Sequence, residues 1–156
     1  MSVLVIVEHD RGAVSAASLE ALAAARTIGG PVAALTIGAN ADGLAATLAA
    51  HGAATVHQVH HDILSDYGPE AWGECVAQAV RSLHPTAVLA CGTERGNEVM
   101  AQAAARLDLP MVANCTSFTP DDVWRLVRVR WGGSLLEECT LAAPTKLLTV
   151  SHHTFE

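Results

Sequence analysis

Thr86-Ala-Val-Leu-Ala-Cys-Gly-Thr-Glu-Arg-Gly-Asn97, which continues into Glu98-Val-Met-Ala-Gln-Ala-Ala-Ala-Arg-Leu-Asp108, decides the fold class. Its first six residues are an apolar run of strand length, short enough to be covered on both faces of a sheet. Gly92 and Gly96 punctuate a turn, and the alanine-rich stretch from about Asn97 to Leu107 is a helix by composition. Strand, turn and helix in that order make half of a βαβ unit. In open α/β sheets, ligands gather beyond the carboxyl ends of the strands, where helix amino termini present unpaired N–H groups. Gly92, Thr93, Gly96 and Asn97 are therefore candidate ligand contacts.

The same alternation extends upstream. Val3 to Val7 is a continuous β-branched and Leu run, followed by a helix from about Ser15 with Leu19, Leu22 and Ala23 on one stripe, stopped by Gly29-Gly30. Val32 to Ile37 and Ala54 to Val59 are the next strands, separated by a short helix that Asp42 can cap and that carries Leu44 and Leu48. Pro69 opens a helix whose Trp72, Val76, Ala79, Val80 and Leu83 form one apolar stripe. The resulting βαβαβαβα series implies parallel strands joined by right-handed crossovers.

After Pro110 the helices stop. Met111 to Phe118, Val123 to Trp131, Ser134 to Ala142 and Lys146 to Val150 all have strand character, joined by turns at Pro120, Gly132-Gly133 and Ala143-Pro144. Strands joined by short turns pair antiparallel. The expected architecture is α/β in three layers: a mainly parallel, Rossmann-like sheet of about five strands, extended at one edge by an antiparallel C-terminal hairpin. Ser151 to Glu156 reads as the start of a tail that leads elsewhere.

Length and charge restrict what such a sheet can do. With 156 residues and 51% hydrophobic content, residues 1–156 are expected to form one domain around one core. A net charge of −7, with Lys146 the lone lysine, argues against a nucleic-acid partner, which requires a basic patch. No apolar run approaches a bilayer-spanning length and the first residues lack signal-peptide features, so a cytoplasmic location with no membrane contact is expected. Cys75, Cys91, Cys115 and Cys139 are scattered, which favours buried thiols over a zinc site or a disulfide framework.

Familiar phosphate motifs are missing. The turn after the first strand, Glu8-His-Asp-Arg-Gly-Ala13, holds one glycine where a dinucleotide fingerprint needs three, and Lys146 lies in the last strand, far from any P-loop. Cys91 sits at a strand end before a helix, where a thiolate would be stabilised, but no base is near it in sequence. His57, His60, His61 and Asp62 form the densest cluster of metal-ligand types, yet strand alternation points His57 away from His60, and a solvated loop is favoured. His152-His153 is read the same way. Glu137 and Glu138 are strand neighbours that face opposite sides, which disfavours a paired acid and base. The expectation is a protein with no catalytic residues and no metal.

Arg128 and Arg130 share one strand face with Trp124 and Leu126. In an acidic chain this face is either an edge strand that uses charge to block aggregation or a surface that meets a partner subunit or a flavin phosphate.

Four segments, in order, resemble the N-terminal domain of the alpha subunit of electron transfer flavoprotein. They are Val3-Leu-Val-Ile-Val-Glu-His-Asp10; Ala-Ala-Ala-Arg-Thr-Ile-Gly-Gly30; Gly92-Thr-Glu-Arg-Gly-Asn97 with Ala104-Ala-Arg-Leu-Asp108; and Arg128-Val-Arg-Trp-Gly-Gly133 followed by Thr149-Val150 and Phe155. The resemblance implies a sheet of the adenine nucleotide alpha hydrolase-like type. It also implies a place in a heterodimer with the beta subunit that carries electrons from flavin dehydrogenases to an acceptor. In those alpha subunits most FAD contacts come from a C-terminal FAD-binding domain, which this chain is expected to lack, so FAD is expected only in the assembled complex. Ala101-Gln102 replaces the family's usual Pro-Arg, Ser134 a frequent Lys, and Ser151 an Arg. If those cations hold the flavin-bearing domain or the partner, each loss weakens docking by about 1.5–3 kcal/mol. A second reading of the same residues is a stand-alone AMP-binding regulatory module that uses the turn after the fourth strand. A hydrolase or transferase built on Cys91 or a histidine ranks last, because nothing places a base beside a nucleophile.

Overall fold

A computed structural model describes residues 2–156. The first strand, β1 (Val3–Ile6), is buried along its whole length, as its unbroken apolar run requires. A two-stranded ribbon follows, β2 (His9–Asp10) and β3 (Ala13–Val14), which the sequence reading did not anticipate. Helix α1 (Ala16–Ile28) is capped by the Ser15 hydroxyl and ends at Gly29. Next come β4 (Val32–Ile37), a 3-10 turn at Ala39–Leu44 that leads into α2 (Ala45–Ala50), and β5 (Thr55–Val59). Asp42 does not cap that segment, because its carboxylate is held 2.8 Å from Nε2 of His60.

Helix α3 (Pro69–Leu83) buries Trp72, Gly73, Val76, Ala77 and Val80, while Leu83 is exposed. The expected stripe is rotated because Gly73 lies against Gln102 and Ala103 of α4 (Glu94–Leu107), leaving no room there for a side chain. Strand β6 (Ala87–Cys91) feeds α4, which starts three residues earlier than composition suggested because the Thr93 hydroxyl caps it by accepting the Gly96 N–H at 2.9 Å. The remaining strands are β7 (Met111–Thr119), β8 (Trp124–Arg130), β9 (Leu135–Leu141) and β10 (Lys146–Val150).

The main sheet has eight strands in the order β5-β4-β1-β6-β10-β7-β8-β9. It is three-layered, Rossmann-like and mainly parallel: every neighbouring pair from β5 across to β7 runs parallel, and β7, β8 and β9 form an antiparallel extension. The position of β10 corrects the sequence reading, which grouped it with the antiparallel strands. It inserts between β6 and β7, parallel to both, and all five of its residues are buried. Lys-Leu-Leu-Thr-Val has the apolar density of a central strand, and burial between two parallel neighbours satisfies it where an edge would not.

Strand alternation then sorts the core. Val3, Val5 and Val7 point with Leu89, Leu148 and Val150 toward α1 and α2, and Leu4 and Ile6 point with Val88 and Leu147 toward α3 and α4. Among the described residues, no helix is long and apolar enough to cross a membrane.

Candidate functional site

The carboxyl ends of β6, β10 and β7 are tied together by polar side chains. Asn97, in the first turn of α4, receives a hydrogen bond from the Thr149 hydroxyl at 2.7 Å, and its amide donates to Asn114 Oδ1 at 3.1 Å. The Thr149 oxygen in turn accepts the Asn114 backbone N–H at 2.8 Å. Asn114 holds a left-handed φ of 57° where the pairing register of β7 shifts; Met111, Val112 and Cys115 pair with β10, and Cys115 and Ser117 to Thr119 pair with β8.

Gly92 closes the floor of this arrangement. A Cβ there would sit 2.7 Å from both Asn114 Oδ1 and the Val150 carbonyl oxygen, so only glycine lets the three strand ends meet. At Gly96 a Cβ would fall on the Cys91 carbonyl oxygen, so α4 packs directly on the end of its own strand.

Beside the floor opens a cleft of about 560 Å³, walled by Gly92 and Asn114 on one side, Arg128, Arg130 and Trp131 on another, and Ser151 and His152 on a third. The structure thus brings together three of the candidate residues, Gly92, Arg128 and Arg130. Thr93, Gly96 and Asn97 lie behind the floor with their polar groups engaged internally. The Thr93 hydroxyl donates to Glu8 Oε2 at 2.6 Å while capping α4, and Asn97 is held by Thr149 and Asn114.

Arg128 is half-buried and directs Nε and Nη2 onto Glu137 Oε1 at 3.0 and 2.8 Å, which fixes the guanidinium against the wall. Arg130 is exposed at the rim and has no ion pair among the described residues. The expected shared face of β8 is real but graded: Trp124 and Leu126 are in the core, and only Arg128 and Arg130 reach the cleft. β8 lies between β7 and β9, so these arginines are not guarding a sheet edge. Asn114, Trp131, Ser151 and His152 line the cleft without having been expected as ligand contacts; the sequence marked Ser151 only as a lost family arginine and His152 as a solvated histidine, and Asn114 is a residue type that tolerates left-handed backbone.

Cys91 is buried, and its thiol donates to Glu8 Oε2 at 3.0 Å. Burial, reinforced by that hydrogen bond to the carboxylate, pushes the thiol up to about 12 and keeps it protonated and unreactive at neutral pH. Of the histidine cluster, His60 pairs with Asp42 and His61 Nδ1 accepts the Ile63 N–H at 3.2 Å. Among the described residues, no three His, Cys, Asp or Glu side chains converge as metal ligands.

A second cleft, of about 390 Å³, opens at the carboxyl ends of β1 and β4 between His9, Arg11, Asn40, Tyr67 and Arg95. The Arg95 guanidinium lies 4.4 Å from the Tyr67 ring centroid.

No curated protein sequence matches the chain. A family model described as the electron transfer flavoprotein domain matches residues 3–156, which covers every strand and helix of the sheet described above. The chain belongs to the electron transfer flavoprotein domain family.

Proposed function

We propose that this chain is an alpha-subunit-type N-terminal domain of an electron transfer flavoprotein, a scaffold layer in a carrier that passes electrons from flavin dehydrogenases to an acceptor. Its partners in this reading are the beta subunit and an FAD-binding domain. The observation that carries the reading is the cationic cleft at the carboxyl end of a parallel sheet, in a chain whose net charge is −7. Anionic groups are drawn to such a site against the field of the rest of the molecule. The alpha assignment is supported by the order of the four sequence blocks, among them Arg128-Val-Arg-Trp-Gly-Gly133 at the rim of the cleft.

The donor set suits the diphosphate end of FAD. Arg130 offers a guanidinium with no ion pair among the described residues, Arg128 a second one oriented by Glu137, and Gly92 lets the strand ends beneath them close into a floor. Thr93, Gly96 and Asn97 act from behind by locking the strand ends that shape the floor. When bound, the flavin supplies the redox chemistry. The residues here bind, orient and set the local charge.

Recording the visible absorption of the chain alone and with a candidate beta subunit tests this. A flavin-type spectrum that appears only in the mixture supports the proposal. Colourless protein in both cases, with tight AMP binding by the isolated chain, favours the regulatory-module reading, for which the cleft at Arg11 and Arg95 offers the cations.

A further inference from the structure

The cleft at the carboxyl ends of β1 and β4 is separate from the one proposed for the flavin, and it contains a cation that is held in place without being satisfied. Arg95, half-buried in the first turn of α4, has a guanidinium with neither an ion pair nor a hydrogen bond among the described residues. It lies over the Tyr67 ring, 4.4 Å from the centroid. That ring is itself fixed, because the Tyr67 hydroxyl donates to Glu98 Oε2 at 2.8 Å, one turn along the same helix. The contact with the ring steadies the cation and uses none of its N–H donors.

The floor of the cleft is aromatic. Trp72 packs with His9 at 5.3 Å and with Tyr67 at 5.2 Å between centroids, and all three rings line the space. His9 Nε2 lies 2.8 Å from the Ile37 carbonyl oxygen, which only accepts, so in the neutral ring the proton is on Nε2 and Nδ1 is an acceptor. His9 is 8% and Trp72 4% exposed, and His9 Nδ1 and the Trp72 Nε1–H are both buried without a partner. Buried polar atoms are nearly always paired. Here one acceptor and one donor stand unmet at the back of a cleft whose wall holds an unpaired cation.

The rim restricts the charge of what can enter. It carries Asp10 and Asp66 as well as Arg11 and Arg95, so its formal charges cancel, and Arg11 lies 3.9 Å from Asp10. A phosphate dianion would meet two carboxylates there. A single carboxylate brings one charge and matches the planar fork of Arg95 with two parallel hydrogen bonds.

We propose that this cleft binds a small hydroxylated aromatic monocarboxylate. The carboxylate pairs with Arg95 and the ring lies against Tyr67 and Trp72. The hydroxyl, which can both donate and accept, serves His9 Nδ1 and Trp72 Nε1. A volume of about 390 Å³ accommodates one substituted ring. The assignment does not depend on the subunit type or on flavin binding.

Proton–nitrogen correlation NMR of the full chain tests it. The Trp72 indole N–H signal, identified by its loss in Trp72→Phe, reports on this cleft while para-hydroxybenzoate, its meta isomer, benzoate, phenol and AMP are titrated in. The expected result is a saturable shift with one of the hydroxybenzoates, with affinity about tenfold above that of benzoate, which lacks the hydroxyl, and of phenol, which lacks the carboxylate. Arg95→Gln should weaken that binding about tenfold, with a thermal melt to check the fold, and Arg125→Gln, an exposed arginine outside the cleft, should leave it unchanged. If Arg95→Gln does not fold, the preference of the parent for hydroxybenzoate over phenol decides alone. No saturable shift with either hydroxybenzoate overturns the proposal, as does equal binding by a folded Arg95→Gln. AMP that moves the same signal at lower concentration overturns it in favour of a nucleotide site.

Discussion

Two glycines and a threonine at the end of β6 carry more of the structure than their size suggests. Gly96→Ala forces a methyl group onto the Cys91 carbonyl, and overpacking of this kind costs about 1–3 kcal/mol. Urea denaturation should show that loss as a lower midpoint with an unchanged slope. Thr93→Val removes the α4 cap and one hydrogen bond to Glu8, for about 1–2 kcal/mol by the same measurement. The thiols make a pH prediction. Burial raises Cys91 and Cys115 from an ordinary value of 9.0 to about 12 in the folded state. Both are neutral in folded and unfolded chains below pH 9, so their stabilising contribution is intact there. Between pH 9 and 12 the unfolded chain ionises them and the folded chain does not, so stability falls as pH rises through that window. Thermal melts should decline in that window, and less steeply in Cys115→Ala than in the parent when each is compared with its own neutral-pH melt.

At the scale of elements, β7 is the hinge of the design, because its first half belongs to the parallel core and its second half to the antiparallel extension. A ladder of rings secures the second half: Phe118 stacks on Trp124 at 5.7 Å between centroids and on Phe155 at 5.6 Å. Phe155 thereby packs the segment after β10 against the sheet. Phe155→Ala should release residues 151–156 to proteolysis at a stability cost of about 0.5–1.5 kcal/mol from the lost aromatic pair, whereas Trp124→Ala empties a fully buried site and costs about 3–5 kcal/mol. Most strands were legible because continuous apolar runs leave few alternatives, and the helices because Ser15 and Pro69 mark their starts. Strand order was not legible. Which neighbour β10 selects depends on the space left between β6 and β7, a property of the assembled sheet that no local pattern records. The site divides the same way: Gly92, Arg128 and Arg130 stand out as residue types and Asn114 hints at left-handed backbone, but nothing local says that the fold brings Asn114 and Thr149 to Asn97.

For the whole molecule, charge distribution is the testable quantity. Most of the acidic surface repels anions, and the cleft at Arg128 and Arg130 is a local exception. Arg130→Ala should leave the melting temperature unchanged, because the side chain is exposed and has no ion pair among the described residues, while weakening flavin uptake by the mixed complex on the order of tenfold, one charge-assisted contact. Raising the ionic strength should reduce uptake by the parent more than by the variant. An equal loss in both would place the anion elsewhere.

The central seat of β10 has a consequence for biosynthesis. A ribosome releases residues 146–150 after every other strand of the sheet, so β6 and β7 each keep a vacant flank until those residues have emerged. Nascent chains arrested before Lys146 should therefore be digested as readily as unfolded protein, and those arrested with Val150 clear of the exit tunnel should resist.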